Sequence, residues 1–194
     1  MAVTWNPLDK GSAVTLSNGN LTMSSSSGSN NGGVRATKGV FSGKWYWEIK
    51  DIDNNAIPFI CISNINASLI SQDWAVGSNN IRGYYGMNGY KYPGGLTYGA
   101  AYTTNDVIGV ALDMDLGTLT FYKNGVSQGV AFTDIKTAVG STIYPYQSCG
   151  GTSGTYSVTA NFGANAFAYA IPTGYLGLSE ALAPETSQAY CFVY

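Results

Sequence analysis

The sequence predicts an all-β fold, two antiparallel sheets packed as a sandwich, and three observations carry that reading. Roughly a dozen short apolar or alternating runs are separated by Gly, Asn, Asp and Pro at the spacing typical of sandwiches. No stretch supports a long helix; only residues 179–182, with Ser179 as cap, suggest a single helical turn. And residues 106–126, DVIGVALDMDLGTLTFYKNGV, hold two strands and two tight turns. The apolar run at 107–112 suits a strand covered on both faces. After the turn signal Asp115-Leu116-Gly117, Leu119 and Phe121 alternate with Thr118, Thr120 and Tyr122. Asn124-Gly125 closes the meander, because both positions of a tight hairpin turn need φ > 0.

From the N-terminus, Trp5-Asn6-Pro7 precedes a first hairpin, 13–16 and 21–24, split at Asn18-Gly19. Residues 24–33, SSSSGSNNGG, carry no apolar side chain and read as a solvated loop. A strand resumes at 34–40. In 43–50, GKWYWEIK, Trp45, Trp47 and Ile49 share one face and Tyr46, Glu48 and Lys50 the other. The tryptophan face is placed inward, since two indoles facing solvent would form a large exposed apolar patch. Residues 51–55 read as a turn, 58–63 as a buried strand and 65–77 as irregular. Residues 84–87 and 89–92 form a hairpin within a stretch rich in Tyr and Gly. Further strands fall at 130–133, 143–147 and 157–162, and 164–170 packs with 171–175. The expected core includes Trp45, Trp47, Ile49, Ile108, Val110, Leu119, Phe121 and Phe162. One domain spans 1–176. The extension 177–194 ends Tyr190-Cys191-Phe192-Val193-Tyr194, an added strand or a docking segment for another chain.

Composition narrows the function. Charged residues are 10% of the 194 and hydrophobic ones 45%, a folded chain whose surface is polar mainly through Ser, Thr, Asn, Gly and Tyr. The net charge is −2 and the nine basic residues are scattered, so no nucleic-acid partner is expected. No apolar run approaches the ~20 residues of a membrane helix, so no membrane insertion is expected. The start MAVTWNPLDKG lacks the features of a signal peptide, which implies a soluble, cytoplasmic location unless another route is used. Three widely spaced cysteines, Cys61, Cys149 and Cys191, imply no disulfide framework, though the sequence leaves open whether one pair is bonded. Histidine is absent, which removes Ser-His-Asp, Cys-His and histidine-zinc chemistry. No enzyme activity and no cofactor are expected.

Five candidate sites remain. Asp113 and Asp115 beside Gly117 resemble the start of a calcium loop, but Asn124 stands where the bidentate Glu should be, and a turn role is favoured. Carboxylate pairs for glycoside hydrolysis are possible among eleven acids, with no motif to select one. The tyrosines of 83–102 suit either cross-strand packing or stacking on a ligand. Of these, Tyr90 and Tyr92 are expected to be exposed, because Asn88-Gly89 and Pro93-Gly94-Gly95 bracket them with turns. Arg35, one of two arginines, could grip carboxylates or carbonyls, or pair with a nearby acid. The small-residue stretch 148–155, SCGGTSGT, follows Tyr146 and would offer backbone groups around Ser148 and Gly150.

Five blocks in order, GKWYWEI at 43–49, IGVALDMDLGTLTFYKNG at 108–125, YPYQS at 144–148, ANFG at 160–163 and PTGY at 172–175, resemble a SPRY domain. The opening TWNPLDKGSAVTLSNGNLTM is similar to stand-alone SPRY proteins of bacteria and bacterial viruses. The resemblance covers about residues 4–176. It implies a bent sandwich of the concanavalin-like jelly-roll type, without catalysis, that binds ligands, usually protein segments, through loops at one end. By the same resemblance, the VRATKG segment around Arg35, an aromatic near Tyr92 and the loop after Tyr146 border the ligand face. The expected function is a non-enzymatic binding or assembly protein. On compositional analogy it is a virion component, such as a tail, fibre or capsid-surface protein, recognising a protein or a host-surface glycan. The alternatives are a lectin-like carbohydrate-binding module and a cellular peptide-binding adaptor. The C-terminal extension suggests a homo-oligomer.

Overall fold

The computed structural model describes residues 2–26, 32–54, 57–70, 79–150 and 155–180. The strands are β1 (Trp5–Lys10), β2 (Val14–Ser17), β3 (Thr22–Ser26), β4 (Val34–Ala36), β5 (Lys44–Asn54), β6 (Ile57–Ser63), β7 (Ile81–Tyr85) and β8 (Tyr90–Tyr92). There follow β9 (Leu96–Thr97), β10 (Val107–Asp113), β11 (Thr118–Lys123), β12 (Val126–Phe132), β13 (Tyr144–Gly150), β14 (Thr155–Asn161) and β15 (Leu176–Gly177). They form two sheets. One has the order β1-β4-β13-β6-β7-β8-β9. The other has the order β12-β11-β10-β5-β14-β3-β2, with β15 added beside β5. Every pairing is antiparallel except β15 with β5. One helical turn, Ile135–Val139, buries Ile135 and Val139 and was not signalled by the sequence pattern.

The core lies between the sheets. Strand β5 is its spine: Leu112, Val110 and Ile108 of β10 stand opposite Trp45, Trp47 and Ile49, and all six are buried. Leu119 and Phe121 extend this layer from β11, and Phe162 meets Trp5 edge to face at 5.0 Å. The Asn124-Gly125 turn has φ of 50° and 79°, as a two-residue hairpin turn demands.

The second face of β5 is covered too. Tyr46 and Glu48 are as buried as the tryptophans. The segment 163–175 crosses this face like a strap. The Phe167 ring packs on Tyr46 at 5.0 Å, and the Glu48 carboxylate accepts the Ala168 and Tyr169 backbone N–H groups at 2.8 and 3.0 Å. Gly109 of β10 makes room, because a Cβ there would collide with the Tyr46 ring.

Several boundaries differ from expectation. Residues 51–54 continue β5 instead of turning, because β14 pairs with them through a bulge near Ser157. Ser24–Ser26, expected in the loop, pair with Thr155–Ser157. The strand expected at 34–40 is hydrogen-bonded only at 34–36, and Val40 forms an isolated bridge to Ile143. Packing runs past 176: Leu178 is buried, and Ser179 Oγ accepts the Val3 N–H at 3.1 Å. The terminal segment 190–194 lies outside the described residues, as do residues 181–182 of the expected helical turn.

Candidate binding face on the seven-stranded sheet

Side chains directly opposed across a sheet share a face. Tyr146 stands opposite Arg35 and Cys61, and Ser148 opposite Phe59. Phe59 stands opposite Tyr85, Tyr85 opposite Tyr90, and Gly83 opposite both Cys61 and Tyr92. These residues therefore occupy the outer face of the seven-stranded sheet. Gly150, two positions beyond Ser148, takes the same register at the end of β13. All six residues singled out as a ligand site come to this one face.

Their environments divide them. Arg35 is 4% exposed. Its Nε and Nη2 donate to the two Asp9 oxygens at 2.7 and 2.9 Å, and Nη1 donates to the Ala67 carbonyl at 2.7 Å. Tyr146 is buried, and its hydroxyl donates to the Ser68 carbonyl at 2.8 Å. The Gly33 N–H donates to the Leu69 carbonyl at 3.1 Å. A Cβ on Gly33 would stand 2.5 Å from the Tyr146 hydroxyl, so only glycine allows this approach. Arg35 and Tyr146 thus fix residues 64–70 over the sheet, and Ser148 is buried beside them. Arg35, Tyr146 and Ser148, expected as ligand contacts, are all buried here, and the polar groups of Arg35 and Tyr146 are engaged by Asp9, Ala67 and Ser68. Ser148 and Gly150, expected in a loop, belong to β13; residues 151–154 lie outside the described residues.

Tyr90 and Tyr92 are half-buried at the open side of the face. Tyr92 packs edge to face on Phe59 at 5.6 Å and on Tyr85 at 5.7 Å. Gly83 permits this cluster, because a Cβ there would lie 2.8 Å from the Phe59 ring and 2.7 Å from Cys61 Sγ. The Tyr85 hydroxyl donates to Met87 Sδ at 3.2 Å, and Met87 is 64% exposed. Ile70, also exposed, follows Leu69, which packs against the same cluster. Sequence reasoning missed Met87, Ile70 and the supporting Phe59 and Asp9. Asp9 carries no motif, and Phe59 reads only as part of an apolar run. Of the other tyrosines, Tyr84 and Tyr102 turn inward and are buried.

The electrostatics suit contact more than proton transfer. Burial pushes the Cys61 thiol and the Tyr85 hydroxyl above their ordinary ranges. The Arg35 guanidinium is paired with the Asp9 carboxylate. At the opposite end of the sandwich, Asp113 Oδ1 accepts the Asp115 and Leu116 N–H groups at 2.9 Å, and Asp115 Oδ1 accepts the Gly43 N–H at 2.8 Å. Both aspartates organise turns. Among the described residues no three Cys, Asp or Glu side chains gather as metal ligands, and no helix is long and apolar enough to cross a membrane.

The two-sheet antiparallel sandwich is the architecture of a known domain class, and the SPRY domain profile matches residues 44–165. The chain belongs to the SPRY domain family, which points to protein binding. In particular it is similar to Ran-binding protein 10 and Ran-binding protein 9 of Danio rerio. The identities are 31% and 30% over 177 residues, 86% of this chain and 28% of each relative. The chain therefore spans under a third of the length of these relatives. Among solved structures it resembles the SPRY domain of human HERC1, with TM-score 0.67 and 24% identity, covering 80% of this chain and 96% of that one. It also resembles the TRIM65 PSpry domain, with TM-score 0.60 and 15% identity, covering 83% and 92%. These likenesses concern the fold.

Proposed function

We propose that the chain is a non-enzymatic binding module that grips a protein segment on the outer face of its seven-stranded sheet. The observation that supports this most is the aromatic cluster in which half-buried Tyr92 packs on buried Phe59 and Tyr85, flanked by half-buried Tyr90 and exposed Met87. Aromatic side chains give large contact areas at little ordering cost, methionine adapts its shape to a partner, and exposed apolar patches mark interaction sites. The test uses a peptide selected from a random display library against the whole chain. Tyr90→Ala and Met87→Ala should each weaken its affinity by about tenfold or more, with melting temperatures unchanged within a few degrees. Unchanged affinity in both variants would refute this placement.

The finer setting, a virion tail, fibre or capsid-surface protein, is a proposal supported by composition: low charge, no histidine and abundant Gly, Ser and Tyr. Mass spectrometry of purified particles tests it, and a gene lying among cellular metabolic genes would contradict it. Self-association through residues 190–194 is proposed on their apolar character. Deleting them should lower the mass seen by light scattering; an unchanged mass would remove the idea.

A further inference from the structure

We propose that the outer face of the eight-stranded sheet carries a second, separate site, for a neutral oligosaccharide. On three adjacent strands the outward positions are hydroxyls: Thr15 and Ser17 on β2, Thr22 and Ser24 on β3, and Thr155, Ser157 and Thr159 on β14. Thr22 and Thr159 hydroxyls bond across the strands at 2.8 Å, and Ser24 and Ser157 at 2.9 Å. Such rows lie about 4.8 Å apart across the sheet and about 6.8 Å apart along it. A hydroxyl has one donor and two acceptor sites, so each bonded pair keeps capacity for a ligand.

Hydroxyls alone would be ordinary solvated sheet surface. Here they run between two concavities. One, of about 390 Å³, is lined by Thr15, Ser24, Thr155 and Ser157. The other, of about 260 Å³, is lined by Glu48, Lys50, Val107, Thr159, Asn161 and Ala168. Ser157 and Thr159 are successive outward positions of β14, so the two form one track.

The smaller cavity is set before any ligand arrives. Glu48 is held by the Ala168 and Tyr169 N–H groups and by the Tyr46 hydroxyl at 3.2 Å. Asn161 is held by the Ala166 carbonyl at 2.9 Å and by the Gly163 N–H at 3.0 Å. Val107 and Ala168 give an apolar wall. Lys50 is exposed and, among the described residues, makes no ion pair. One acid and one base leave no net charge, and the hydroxyl rows add none, so a charged ligand has no field to follow. A purely apolar ligand would strip water from the hydroxyls without replacing its hydrogen bonds. A neutral sugar matches both needs, with C–H faces for the apolar wall and hydroxyls for the rest. The cavity is smaller than the roughly 300–1,000 Å³ of drug-sized sites, which suits one ring, with further units along the rows.

The test is calorimetric titration of the whole chain with cellohexaose, maltohexaose, xylohexaose and chitohexaose, with hexagalacturonate as the acidic comparison. At least one neutral hexamer should bind with saturation. Lys50→Ala and Thr159→Val should each weaken it by about tenfold, and Tyr90→Ala should leave it unchanged. Lys50 is exposed, so its variant should fold even if Thr159→Val does not. No binding by any neutral hexamer up to about 5 mM would overturn the proposal. So would binding of the acidic hexamer alone, or loss in Tyr90→Ala without loss in Lys50→Ala.

Discussion

At the scale of single residues, Arg35 shows how a buried polar side chain can hold a loop over a sheet. Its guanidinium is 5% exposed and faces Asp9, 26 positions earlier. Removing one partner of a buried pair costs about 3–5 kcal/mol. With Asp9 at 25% exposure the low end applies, so Arg35→Ala should cost about 3 kcal/mol, read as a lower urea midpoint. Arg35→Lys should not restore it, because an ammonium cannot reproduce the bidentate fork. Full stability in Arg35→Ala would show that the pair does not hold residues 64–70. The Asp9 contact was invisible in the sequence because nothing local links the two positions. The tryptophan face was legible, because alternation in a strand is local. The tyrosines add a pH dependence. Burial, with a smaller contribution from Tyr122, outweighs the Phe121 backbone hydrogen bond and pushes Tyr98 up to about 12, from an ordinary 10.0. Tyr46 and Tyr84 shift the same way, also chiefly through burial. Groups whose pKa is raised by folding stabilise fully below their unfolded value and lose that contribution as pH rises. Denaturant midpoints should therefore be flat up to about pH 10 and fall towards pH 12; a midpoint constant to pH 12 would contradict the burial of these hydroxyls.

At the scale of elements, the strap at 163–175 explains why β5 is buried on both faces at Tyr46 and Glu48, while Lys50 stays exposed. The run at 107–112 signalled a doubly covered strand. What covers the second face of β5 was not legible, since the strap has no periodicity and is held by backbone N–H groups on Glu48. Glu48→Ala should release the strap without unfolding the sandwich. The amides of residues 166–170 should exchange at least about tenfold faster, while those of β5 and β10 keep most of their protection. Equal exchange in the variant would mean that Phe167 and Tyr169 hold the strap unaided. The sheet edges are also managed. On β2 the Lys10 ammonium occupies the Val14 carbonyl at 2.7 Å. On β12 the Tyr98 hydroxyl and Lys91 ammonium occupy the Gly129 and Ala131 carbonyls, both at 2.6 Å. Occupied carbonyls are poor templates for an added strand.

At the scale of the whole molecule, the two sheets carry different chemistry on their outer faces. The seven-stranded sheet offers aromatic rings over a loop-braced floor, and the eight-stranded sheet offers hydroxyl rows and a strap. The fold was largely legible, because turn residues and alternation are local signals and the meander at 106–126 is distinctive. The site was legible only as a face: register brings Arg35, Tyr90, Tyr92, Tyr146 and Ser148 together, but burial depends on residues 64–70, whose path no pattern announces. The most direct test of partner binding on the aromatic face is a chemical-shift map of the labelled chain, titrated with the display-selected peptide. The largest shifts should fall at residues 85–92 and 69–70. Shifts concentrated instead on β2, β3 and β14 would contradict the account.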